Sequence, residues 1–343
     1  MNRLTLELDL LLRITAGAPG HLQGMRILIW HVHGSWTTAF VHGRHDYLLP
    51  TTPDRCPDGL GRARTWDWPS AAREVSSEAL ADEDVDVVVL QRPHEVELAE
   101  KWLGGRRPGR DLPAVYLEHN TPAGAVPDTR HPMAGGSIPI VHVTGFNDLV
   151  WDCDGTPTTV IEHGIVDPGR RYTGDIERAG VVVNDPVRRG RSVGADLIPV
   201  LAEGVGADVF GMQVDRLPPH RGLRTFEDLS QQDLHDHLPR RRVYVHLNRW
   251  TSLGLSLLEA MHLGMPVVAL ATTETPLAVP QEAGFVTTRR DEIVPAVRHL
   301  MKDPDVAEEA GLIGRRYARK RYGLERFLDE WDDVLGWVAT GPR

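Results

Sequence analysis

RWTSLGLSLLEAMHLGMPVVAL, Arg249 to Leu270, is the stretch on which the fold turns. It joins a glycine turn, an amphipathic run with Leu253, Leu257 and Met261 on one face, a second glycine, a proline and an apolar strand. Gly264 suits a helix C-cap, and Met265-Pro266 opens the next strand. Glu259 stands inside the apolar run, flanked by Leu257, Leu258, Ala260 and Met261. A carboxylate there is costly to bury unless something pairs with it, so it either reaches solvent or has a ligand. The free amides of a helix start near Gly254 suit a phosphate. Glu259, about one and a half turns further in, is placed to accept from ribose hydroxyls of the same ligand.

The same strand-and-helix rhythm runs outward from this stretch. Met25 opens MRILIWHVHG, an apolar strand ending in polar residues and a glycine. Strand-like VDVVVLQ (85–91), AVYLEHN (114–120), IPIVHVT (138–144) and TTVIEHG (158–164) alternate with helical HEVELAEKWL and NDLVWD. VDPGRRYTGDIERAG, rich in glycine, proline and charge, breaks the pattern. It restarts with AGVVVN (179–184), a helix over 192–205, ADVFGMQ, helical SQQDLHDHLPRR, RVYVHLN (242–248), the helix of Glu259, PVVALAT and GFVTT. DEIVPAVRHLMKD and the tail from about Val306 to Val338 read as closing helices. This alternation predicts an α/β chain of two Rossmann-like domains, with ligands at the loops beyond the strands' carboxyl ends. The expected divisions are an N-terminal extension over 1–24, domains over 25–170 and 171–325, and a helix over 326–343 that returns to the first domain. The extension reads as a loosely attached arm or as sequence ahead of the true start.

A formal net charge of −10 over 343 residues disfavours nucleic acid and anionic membrane as partners. No run of 18 apolar residues is present, and Glu7 and Asp9 interrupt the leading LTLELDLLLRI where a signal peptide needs an apolar core. The expectation is a cytoplasmic protein with no transmembrane segment and at most transient membrane contact. Cys56 and Cys153 lie in no metal or redox spacing and read as packing residues. The basic runs RRPGR (106–110), RRR (240–242) and RRYARKR (315–321) read as solvated loops and helix ends, whereas RRGR (188–191) follows a strand.

SLGLSLLEAMHLGMPVVA, 252–269, resembles the signature of the group 1 glycosyltransferases, retaining enzymes of GT-B architecture. The resemblance implies two Rossmann-like domains facing across a cleft, the C-terminal one binding a nucleotide-sugar. It places Glu259 on the ribose and Ser252, Leu253 and Gly254 in the loop whose amides meet the phosphates. Arg188, Arg189 and Arg191 stand where the family has a basic pair for the diphosphate, which arginine binds in bidentate fashion. Gly34, in HVHGSWTTAF, matches the glycine that admits the donor phosphate, and His119, in LEHNTP, matches a catalytic-site histidine beside the acceptor. The family's first glutamate, eight positions before Glu259, falls on Thr251, at the transferred sugar.

The implied activity is retaining transfer of a sugar from a nucleotide diphosphate sugar to an unidentified acceptor. It needs no metal and no cofactor, because the nucleotide-sugar is a substrate. Two other readings stand beside it. Thr251 suits a non-catalytic nucleotide-sugar-binding relative. His31 and His33 suit a metal pair, with His119 and His163 as further ligands of a metal-dependent hydrolase. A barrel of that kind needs eight uninterrupted βα units, and the break near residue 170 opposes it.

Overall fold

Two wholly parallel sheets carry the strand-like runs. The computed structural model describes residues 24–341, so residues 1–23 of the expected N-terminal extension lie outside the described residues. The chain divides into one unit of Met1–Glu162 with Glu325–Arg343 and a second of His163–Leu324.

The first unit holds β1 (Arg26–Ile29), β2 (Asp46–Thr51), β3 (Ala72–Ser76), β4 (Val87–Leu90), β5 (Ala114–Glu118), β6 (Ile140–His142) and β7 (Thr158–Val160). They lie in the order β3-β2-β1-β4-β5-β6-β7. Leu28 of β1 pairs with Leu48 on one side and Val88 on the other. Strand order reverses at β1 and β4, which puts the loops after Ile29 and Leu90 at the crevice such sheets use for ligands. β4, Val-Val-Val-Leu, is buried throughout, as a parallel strand covered on both faces should be. The helix Gly34–Phe40 buries Trp36 and Phe40 against Phe327 and Trp331 of the helix Leu324–Thr340. Trp36 and Phe40 meet Trp331 edge-on, with ring centroids 5.5 and 5.0 Å apart.

The second unit holds β8 (Ile176–Val182), β9 (Ala207–Gly211), β10 (Leu223–Glu227), β11 (Arg241–His246), β12 (Val267–Leu270) and β13 (Gly284–Thr287), in the order β10-β9-β8-β11-β12-β13. Here the order reverses at β8 and β11. The helices Ile198–Val205 and Ile293–Lys302 share one core cluster with the sheet, and the helix Leu255–Leu263 lies in the other.

Several sequence expectations shift. The division falls between Glu162 and His163, ahead of residue 170, and β8 starts inside the stretch read as a break. That stretch is clipped to the second unit. The Ile165 amide donates to the Tyr322 carbonyl at 3.0 Å, and the Arg171 and Tyr172 amides both donate to the Leu263 carbonyl at 3.1 Å. The helix expected from residue 192 starts at Ile198, after two 3-10 turns. Gly194, at φ +73°, lies between those turns, and a Cβ there would run into the Leu247 carbonyl. The single closing tail is two helices, Pro304–Arg321 and Leu324–Thr340, parted where Gly323 bridges to Ile165.

One arginine in each of two basic runs is structural, while exposed members such as Arg240, Arg316, Arg319 and Lys320 fit the solvated expectation. Arg241 of RRR is buried, pairs with Asp208 at 2.7 Å and lies over the rings of Phe210 and Phe226. Arg315 of RRYARKR, with 13% of its side chain exposed, pairs with Asp167 at 2.8 Å. Among the described residues no helix is long and apolar enough to cross a membrane.

Candidate functional site

In the second unit the loops after β8 and β11 converge on the start of the helix Leu255–Leu263. Glu259 does not escape to solvent. It is 6% exposed, on a helix whose Leu257, Leu258, Ala260 and Met261 are wholly buried. The group facing it is His235, whose Nε2 stands 3.7 Å from the Glu259 carboxylate. That distance is too long for a hydrogen bond. His235 comes from the helix Gln231–His237, whose N-cap Ser230 accepts from the Asp233 amide at 3.1 Å. The His235 ring is 5% exposed and its Nε2 has no hydrogen-bond partner. A buried nitrogen left so is costly, and a ligand hydroxyl between it and the carboxylate would satisfy it. Sequence reasoning missed His235, because LHDH reads as the end of an amphipathic helix and nothing local shows what it faces.

Gly254 caps the Glu259 helix without any side-chain cap, which leaves the first-turn amides to other acceptors. A Cβ at Gly254 would run into the ring of His246, so the close approach of strand end and helix start requires glycine. Burial pushes the His246 pKa down to about 4, keeping the ring neutral beneath the turn. The side chains of Ser252 and Leu253 are buried. Thr251 is half-buried and accepts from Asn248 Nδ2 at 3.3 Å, while the Asn248 carbonyl accepts from Thr272 Oγ1 at 2.7 Å.

The three expected arginines part company. Arg188 pairs with Asp185 three residues before it, with 73% of its side chain exposed. Arg189 is exposed, with no ion pair among the described residues. Arg191 pairs with Asp196 at 2.9 Å, and Arg249 clamps the same carboxylate at 2.5 and 3.0 Å while donating to the Arg191 carbonyl at 2.9 Å. Arg249 thus joins the basic set, although it opens the very stretch that reveals the helix.

In the first unit, Gly34 begins the helix Gly34–Phe40, and a Cβ there would lie 3.1 Å from Trp66 Nε1. The neighbour over that glycine is therefore the half-buried indole of Trp66. Trp68, next along the loop, donates to Thr38 Oγ1 at 2.7 Å, and Arg62 braces the loop on the Pro69 carbonyl at 2.8 Å. His119 is 7% exposed, with Nε2 3.1 Å from Gln91 Oε1 and its ring centroid 3.9 Å from that of His33. Trp36 lies edge-on to it at 5.3 Å. Glu118 turns elsewhere, to the Asn120 amide at 2.6 Å and to His131 at 3.1 Å.

His31 packs against Trp68 instead of joining His33, and burial lowers its pKa. His163 belongs to the second unit. Among the described residues no three or more His, Cys, Asp or Glu side chains gather as a metal site. The two open sheets exclude a barrel.

A family model described as glycosyl transferases group 1 matches residues 216–317, from before β10 into the helix Pro304–Arg321, with Glu259 inside. Over those residues the second unit is similar to the group 1 glycosyl transferases. Trehalose synthase of Pyrococcus horikoshii is 30% identical over 83 residues, which is 24% of this chain and 20% of that enzyme, so the match spans about a fifth of the relative. Among solved structures, sucrose-phosphate synthase of Thermosynechococcus elongatus superposes with a TM-score of 0.67 at 12% identity, covering 90% of this chain and 98% of its own. HepE of Anabaena, solved with UDP-glucose, gives 0.62 at 12% identity over 91% of this chain and 99% of its own. A glycosyltransferase of Rickettsia africae gives 0.61 at 10% identity over 93% and 100%. The likeness of these structures extends over both units and shows the GT-B fold.

Proposed function

We propose that this chain is a group 1 glycosyl transferase that moves a sugar from a nucleotide diphosphate sugar to an acceptor, with retention at the anomeric carbon. The observation that carries the reading is Glu259, a buried carboxylate on a helix whose start is glycine-capped and faces basic loops. In this reading Glu259 accepts from the ribose hydroxyls. The amides near Gly254, with arginines drawn from Arg188, Arg189, Arg191 and Arg249, bind the diphosphate and stabilise the charge it gains on leaving. No carboxylate is offered as a nucleophile, so the acceptor attacks on the face the diphosphate leaves. His119, with Gly34 nearby on the same unit, sits on the acceptor side. The UDP-glucose held by HepE of Anabaena supports a nucleotide-sugar as the donor class. A cytoplasmic location belongs to the same proposal, supported by Cys56 and Cys153 being free thiols.

Thr251 favours a second reading, a relative that binds nucleotide-sugars without turning them over, because it lacks the carboxylate the family places at the sugar. Incubation with a panel of nucleotide-sugars and candidate acceptors, in the presence of a chelator, separates the readings. Chelator-resistant product of retained configuration, scored by NMR, supports transfer. Binding without turnover supports the second reading, and turnover that needs added metal revives the hydrolase.

A further inference from the structure

An open crevice of about 390 Å³ lies at the carboxyl ends of the second unit's strands. That is within the range of small-molecule sites, roughly 300–1,000 Å³. Arg191, from the loop after β8, and Arg249, from the loop after β11, line one part, and Arg289, Arg290 and Asp291, after β13, line another. Four cations therefore face one carboxylate. With Asp196 behind Arg191 and Arg249, and Glu292 beside Arg289, cations still exceed carboxylates by one. Arg290 is the one with no ion pair among the described residues. Such a lining is too polar for an apolar ligand and favours an anion.

Thr251 lies outside the crevice lining and is joined to it through Asn248. The crevice wall includes Thr272, whose hydroxyl donates to the Asn248 carbonyl, and Asn248 Nδ2 in turn donates to the Thr251 hydroxyl. A carboxylate at position 251 would repel an anion placed beside it. The neutral hydroxyl of threonine does not.

We infer that the crevice takes a carboxylate on the transferred sugar, so that the preferred donor is a nucleotide diphosphate uronate. This rests on the donor reading given above. Arg249 is committed to Asp196 through both terminal nitrogens, so the charge offered to the sugar's carboxylate is that of Arg290, which has no ion pair among the described residues, with Arg289 beside it.

The test is calorimetry on the full chain with UDP, GDP and ADP, then with matched pairs that differ in the sugar's charge, UDP-glucose against UDP-glucuronate and GDP-mannose against GDP-mannuronate. In at least one pair the uronate is expected to bind about tenfold tighter, the scale of one charged hydrogen bond. Arg289→Glu and Arg290→Glu, both at exposed positions, should remove that preference while the parent nucleoside diphosphate binds as before and the melting temperature holds. Thr251→Glu should also abolish it. Free glucuronate should bind far more weakly than the nucleotide-linked form. Neutral sugars binding as well as uronates, a preference that survives Arg290→Glu and Arg289→Glu, or free glucuronate binding as tightly as UDP-glucuronate overturns the inference while leaving the donor reading intact. Failure to bind any nucleoside diphosphate removes the donor reading, and this inference with it.

Discussion

Glu259 and His235 stand 3.7 Å apart, both buried, on different helices of the second unit. The pair is close enough to share one ligand hydroxyl and too far apart for a direct hydrogen bond. His235→Ala should therefore weaken nucleoside diphosphate binding by roughly 1 kcal/mol, the net scale of a hydrogen bond. The loss should come from the ribose. Calorimetry with the 2′-deoxy or 3′-deoxy nucleotide should show less discrimination in the variant than in the wild type. Full discrimination in His235→Ala would place the ribose elsewhere.

The basic residues should separate by role. Arg188→Ala, Arg189→Ala and Arg191→Ala are each exposed changes, and at least one should weaken nucleoside diphosphate binding by about 1–3 kcal/mol. Arg315→Ala should do the opposite. It removes a partner of Asp167 and a donor to the His262 carbonyl, so it should lower the melting temperature and leave nucleotide affinity unchanged. Equal behaviour of the two groups in paired binding and melting experiments would undo the distinction.

His119 lies in the first unit and Glu259 in the second. His119→Ala should cut transfer far more than it cuts nucleotide affinity. Gly34→Ala brings a methyl group to 3.1 Å from Trp66 Nε1 and should slow transfer in the same selective way, with Trp66→Ala restoring part of it. Loss of nucleotide binding in step with transfer would remove both residues from the acceptor side.

Four histidines whose pKa burial lowers make stability depend on pH: His31, His262 and, with the larger shifts, His142 and His246. Burial lowers the pKa of His142 in the first unit and of His246 in the second, each to about 4 from an ordinary 6.5. The unfolded chain binds these protons first, so their stabilising contribution is complete above about pH 6.5 and is lost as pH falls toward 4. The slope is at most roughly 1.4 kcal/mol per pH unit for each histidine. Denaturant melts at pH 7, 6 and 5 should show it, and His142→Gln should flatten the first unit's share. A stability that rises between pH 7 and 5 would contradict the assignment.

What was legible in the sequence was what burial writes locally. The run Val87–Leu90 and the stretch from Arg249 to Leu270 are apolar because both faces of their strands are covered, and glycines mark the turns. β2 was not legible, because Pro50 sits inside a strand that pairs on both sides. β10 was not, because Leu-Arg-Thr-Phe-Glu lies at the sheet edge with its charges exposed. The site divides in the same way. Glu259 and Gly254 follow from a local pattern, whereas His235, Arg249 and Trp66 matter through neighbours distant in the chain. The buried Arg241–Asp208 pair shows the converse, one arginine of a charged run that tertiary contacts turn into core.

The most direct test of the account is titration of the full chain with the nucleoside diphosphate that binds best, for wild type and Glu259→Ala, with melting temperatures measured alongside. The account predicts one site per chain, a loss of tenfold or more in affinity in the variant, about 1.4 kcal/mol at least, and an unchanged fold. Wild-type affinity in Glu259→Ala would contradict it, because the buried carboxylate would then serve the helix and not a ligand.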